Sequence, residues 1–133
     1  MLNELAQEIY ENSAAHGWHS EKRSFGDIAA LAHSEISEAL EEFRNGMPME
    51  YHICKLVRNE DNPKDRIAGK CDDCSPLCEN YMKKNEGIAV ELIDCVIRIF
   101  DYLASEGIDI DRVMREKMDY NKTRSWRHNN KVI

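Results

Sequence analysis

Apolar positions recur at helical spacing in four stretches of the chain. From residue 2 to about 15, Leu2, Leu5, Ala6, Ile9 and Tyr10 share one face, and Gly17 stands where such a helix stops. A second stretch runs from about Ser24 to Arg44. Its stripe is Ile28, Ala32, Ile36, Ala39, Leu40 and Phe43, and "NG" at 45–46 followed by Pro48 ends it. A third, from about Glu86 to Glu106, is apolar around nearly its whole circumference and is stopped by Gly107. The fourth begins at Asp109, a good N-cap, and reaches about Lys122, with Ile110, Val113, Met114 and Met118 on its inward face. Between Asn45 and Asn85 the period dissolves among Gly46, Pro48, Pro63, Gly69 and Pro76, and no strand is predicted there. The pattern is all-α, with a long cysteine-containing insertion at about residues 45–86 between the second and third helices. A loop of that length is usually functional, disordered or held by something of its own.

Composition narrows the classes. The length of 133 residues suits one domain, residues 1–133, with a modest core. A net charge of −7 argues against general nucleic-acid binding, which needs basic surface to neutralise phosphates. No apolar run approaches the roughly 18 residues of a membrane span. The acidic, amphipathic start "MLNELAQEIYEN" does not look like a secretory signal, so the expected compartment is the cytoplasm. The count of five cysteines is odd, which favours metal binding or buried thiols over a disulfide framework.

Charge placement changes the picture most. A helix turns about 100° per residue, which puts Glu91, Asp94, Arg98 and Asp101 of the third helix in one sector of roughly 80°. A narrow charged stripe on an otherwise apolar helix should line an enclosed cleft. The competing reading is a solvated edge with an Asp94–Arg98 pair at i, i+4. In the second helix Glu35, Glu38 and Glu42 lie within roughly 60° of one another, beside the apolar stripe, while Glu41 points away. Two helices thus each offer an acid pair at i, i+3 next to the core. Converging carboxylates repel unless a hard divalent cation neutralises them, and Mg²⁺ suits oxygen ligands completed by waters and substrate phosphates. A di-iron bundle needs Glu-x-x-His motifs. None of the five histidines has an acid three residues earlier. On the fourth helix Lys117 and Asn121 fall in the middle of the inward face, a placement that suits a phosphate or a polar base edge. A snorkelling lysine covering apolar surface fits it equally.

The segments "HSEISEALEEFR", "EGIAVELIDCVIRIFD" and "KMDYNKTRSWRHNNK" together resemble the MazG-like family of all-α nucleotide pyrophosphohydrolases. The resemblance spans the second to fourth helices. It implies a four-helix bundle formed by oligomerisation, as a homodimer or homotetramer, that hydrolyses a nucleoside triphosphate to the monophosphate and pyrophosphate. The family pairs Glu-x-x-Glu with a later Glu-x-x-Asp, here Glu35 with Glu38 and Glu91 with Asp94. By resemblance these four hold Mg²⁺. Glu38, and with it Glu35, is the candidate general base, and Arg98 and Asp101 are the candidate supports. Lys117, Asn121 and Arg124 match the family's "K..yN..R" pattern and would touch phosphates or sugar. Two departures stand out: Ser34 occupies a position where the family often has a further Glu, and the gap between the acid pairs is much longer than usual. The rival class is a non-catalytic, zinc-stapled helical interaction module on the same fold.

Within the insertion, "KCDDCSPLCEN" sets Cys71, Cys74 and Cys78 within eight residues. The spacing fits a structural Zn²⁺ knuckle with Cys54 or His52 as fourth ligand, and reduced surface thiols are the alternative. Cys95 lies on the apolar side of the third helix and is expected to pack. Trp18 in "AHGWHS" and Trp126 in "RSWRH" are candidates to stack on a nucleobase, or are packing residues.

Overall fold

The computed structural model describes residues 1–54, 67 and 81–124. Four helices dominate: α1 (Leu2–Ala15), α2 (Phe25–Arg44), α3 (Ile88–Ser105) and α4 (Ile110–Lys122). Among the described residues no helix is long and apolar enough to cross a membrane. The chain divides into two compact units, one formed by Met1–Lys22 with Phe100–Ile133 and the other by Arg23–Ile99.

In the first unit α1 packs against α4, and each helix caps the other. The Leu2 and Asn3 amides donate to the Asp111 carboxylate at 3.2 and 3.1 Å. In return Asn3 Oδ1 accepts from the Ile110 amide at 2.7 Å, and Asn3 Nδ2 donates to Asp109 Oδ1 at 2.9 Å. Asp109 also accepts from the Arg112 amide at 3.0 Å, which makes it the N-cap that its sequence position predicts. Orphan amides at both helix starts are thereby satisfied. Ala6 and Ile110 are buried in this unit.

In the second unit α2 starts at Ser24 with a capping box. Ser24 Oγ accepts from the Asp27 amide, and Asp27 reaches back to the Ser24 amide. After α2 the chain turns through Gly46 at φ 65° and buries Met47, whose amide donates to Glu42 O at 3.0 Å.

The insertion differs from its prediction as strand-free. Strands β1 (Tyr51–Cys54) and β2 (Tyr81–Glu86) pair antiparallel, with Tyr51 opposite Glu86, His52 opposite Asn85 and Cys54 opposite Tyr81. An isolated bridge also joins Ile53 to Ile67. The pairing brings the start of α3 back to the chain that follows α2. Gly87 sits there at φ 121°, and a Cβ at that position would lie 2.5 Å from Met49 O and 2.8 Å from Pro48 O. Only glycine allows this approach. The Ala89 amide then donates to Met49 O at 2.9 Å, which fixes the first turn of α3.

Candidate carboxylate centre

Two helices of the second unit bring three acids together. Glu35 and Glu38 stand on α2 one turn apart, and Glu91 stands in the first turn of α3. Each offers a carboxylate oxygen, and the three oxygens lie within 4.8 Å of one another. Glu35 is 5% exposed, Glu91 is half-buried and Glu38 is open to solvent. Gly87 supplies the local reason for Glu91's position, because its close packing on the 48–49 backbone sets where α3 begins and Glu91 lies one turn on.

The electrostatics show the crowding. Glu91's carboxyl is held above its ordinary value, first by burial and then by the negative charges of Glu38, Asp94, Glu86 and Glu35. The start of a helix normally favours a carboxylate, so burial and like charge have outweighed the helix dipole at this position. Glu42, one turn beyond Glu38 on the same sector of α2, has its Oε2 buried with no hydrogen-bond partner among the described residues. A polar oxygen buried without a partner is costly.

A small divalent cation fits this donor set. Mg²⁺ binds oxygens at about 2.0–2.1 Å, so oxygens on neighbouring vertices of its octahedron lie about 3 Å apart and those on opposite vertices about 4 Å. Three carboxylate oxygens within 4.8 Å of one another are on the scale of that arrangement. Asp94, the fourth acid of the predicted set, is half-buried one turn beyond Glu91, and its charge acts on Glu91.

The remaining charges of the α3 stripe have distinct partners. Arg98 Nε donates to Glu35 Oε1 in a close ion pair, joining α3 to α2 across 63 positions of sequence. Asp101, 3% exposed, belongs with His19 to the first compact unit and pairs with its Nε2 at 2.8 Å, and the His19 ring packs against Tyr10 at 4.6 Å between centroids. The stripe is therefore shared between two tasks. Neither the His19 contact nor the Glu35 contact was read from the sequence. Arg98's place among acids on one sector signalled a charged partner without pointing to Glu35, and His19 offered no signal.

Residues assigned to substrate lie in the first compact unit. Lys117, Asn121 and Arg124 fall at i, i+4 and i+7 and are all exposed. Lys117 Nζ stands 5.6 Å over the Tyr120 ring, a cation–π contact that accounts for part of its placement. Trp18 is half-buried in the turn after α1, with its amide donating to Ser13 O at 3.0 Å. Cys95 is a free, buried thiol on α3, as expected of a packing residue. Cys71, Cys74 and Cys78 lie outside the described residues, as does Trp126, and only the backbone of Cys54 is described. No family model matches the chain, nor does any curated protein or solved structure.

Proposed function

We propose that the chain is a Mg²⁺-dependent nucleoside triphosphate pyrophosphohydrolase of the MazG-like kind, acting on a dNTP or modified NTP and releasing the monophosphate and pyrophosphate. The observation that carries this reading is the convergence of Glu35, Glu38 and Glu91 from two helices, in the Glu-x-x-Glu and Glu-x-x-Asp segments that carry the family resemblance. Glu35, Glu38, Glu91 and Asp94 would hold the cation. When bound, Mg²⁺ supplies neutralisation of phosphate charge and a more acidic water. Glu38 is the solvent-open member of the cluster and takes the role of general base, accepting the proton of the attacking water. Glu35, buried and held by Arg98, keeps a fixed orientation. By the same reading Lys117, Asn121 and Arg124 bind phosphate or sugar, and Trp18 stacks on the base.

Association of copies belongs to this reading. α2 exposes Ile36, Leu40 and Phe43, the last at 67%, and α3 exposes Leu92, Ile93 and Val96. So much bare apolar side chain on two helices favours a partner surface, here a second copy in a homodimer or homotetramer. Sedimentation that finds only monomer at micromolar concentration contradicts that part.

The activity is tested by pyrophosphate release from a panel of dNTPs with Mg²⁺. Wild-type protein should turn over at least one nucleotide. Glu38→Ala and Asp94→Ala should each lose on the order of a hundredfold or more, as when one preorganised electrostatic group is removed. If no nucleotide is hydrolysed and the variants bind metal as well as wild type, the chain is the non-catalytic module instead.

A further inference from the structure

Glu35 is the most buried acid of the cluster, and it carries the Arg98 guanidinium. Arg98 reaches it from α3, the helix that also presents Glu91 and Asp94. A fixed cation is therefore paired with one member of the cluster, a carboxylate oxygen of which lies within 4.8 Å of those of Glu38 and Glu91. Its charge is permanent, because arginine does not lose its proton in proteins. Buried carboxylates without such a partner are strongly destabilising, and Glu91 already carries the imprint of its neighbours' negative charge.

We propose that Arg98 is the resident counter-ion of the carboxylate cluster: it balances the acids in the metal-free chain and lowers the affinity with which they take a divalent cation. The inference rests on the metal-binding reading above and adds its regulation. The cluster and Arg98 sum to less negative charge than the four acids alone, so a divalent cation meets a weaker field than the ligand set by itself would present. Binding then stays reversible and follows the free cation concentration, instead of saturating at trace levels. Metal-free protein also stays folded, because Glu35 is never left without a positive neighbour. A guanidinium that merely oriented Glu35 would act in the opposite direction, since removing an orienting partner behind a metal ligand weakens metal binding.

The test is Mn²⁺ titration and thermal melting, the latter in EDTA, of the full chain as wild type, Arg98→Met, Arg98→Lys and the double variant Arg98→Met/Glu35→Gln. Arg98→Met should melt lower in EDTA and bind Mn²⁺ on the order of tenfold more tightly than wild type. Arg98→Lys, which keeps the charge, should stay within about threefold of wild-type affinity. The double variant should recover most of the lost melting temperature in EDTA, because the orphaned carboxylate is gone. Weaker or unchanged Mn²⁺ binding by Arg98→Met, or no recovery in the double variant, overturns the counter-ion role while the metal site stands. If Arg98→Met is unfolded in EDTA and stays unfolded when Glu35→Gln is added, the role is likewise overturned. Absence of Mn²⁺ binding by wild type is a different result, which removes the metal reading and the competition together.

Discussion

Asp111 and Glu91 each stand in the first turn of a helix, and the chain drives their carboxyls in opposite directions. Asp111 opens α4 and is held below its ordinary value, chiefly by the Asn3 and Leu2 amides that donate to it. Glu91 opens α3 and is held above its ordinary value by burial and by four other acids. The helix dipole favours both charges, so it does not explain the difference. Neighbours explain it. Asp111 faces donors and closes a clasp between α1 and α4, whereas Glu91 faces carboxylates. An acid surrounded by donors contributes to stability. An acid surrounded by acids is held in place by the fold at a cost, and such places are where function concentrates.

The larger effect should come from the crowded side. A carboxyl whose folded value is raised binds its proton more tightly in the native state than in the unfolded one. Its contribution is therefore fully present below the ordinary carboxylate value and lost as pH climbs through the raised value. A neutral isostere removes that penalty, so Glu91→Gln should raise the melting temperature of metal-free protein at about pH 7. The gain should shrink toward zero at about pH 3.5, where Glu91 is protonated in either state. Melting curves at the two pH values in EDTA check this, and a loss of stability at neutral pH would break the comparison. The smaller effect belongs to the clasp and has the opposite sign. Asp111's lowered value gives stability that is present above the ordinary value and lost as pH falls through the lowered one. Asp111→Asn should lower the melting temperature modestly at neutral pH, and the difference should close in acid.

Much of the helical frame was legible in the sequence because its signals are local. Asp109 is the cap that the sequence predicts, the second helix starts beside Ser24 as expected, and Gly17 and Gly107 take φ values of 79° and 67° just after α1 and α3. Three of the four acids expected to converge, Glu35, Glu38 and Glu91, do so, and the i, i+3 spacing on two helices is a local property that wheels capture, whereas Asp94 is not among the three oxygens brought together. What was not legible depends on distant partners. "YHIC" and "YMKKNE" show no clean alternation, and each becomes a strand only through pairing across about thirty residues. The sequence offered Arg98 an acid one turn away at Asp94, and nothing local pointed to Glu35, 63 positions earlier. His19 and Asp101, 82 positions apart, were equally hidden. The Gly87 contact is of the same kind, since only the fold shows that the 48–49 backbone fills the place of a Cβ.

The central claim is that Glu35, Glu38 and Glu91 form a cation site. Its most direct test is calorimetric titration of Mn²⁺ or Mg²⁺ into purified wild type and into Glu35→Gln/Glu38→Gln. Saturable binding to wild type that is abolished in the double variant, with both proteins folded by circular dichroism, is the predicted result. Equal binding by both proteins, or none by wild type at millimolar cation, would contradict it.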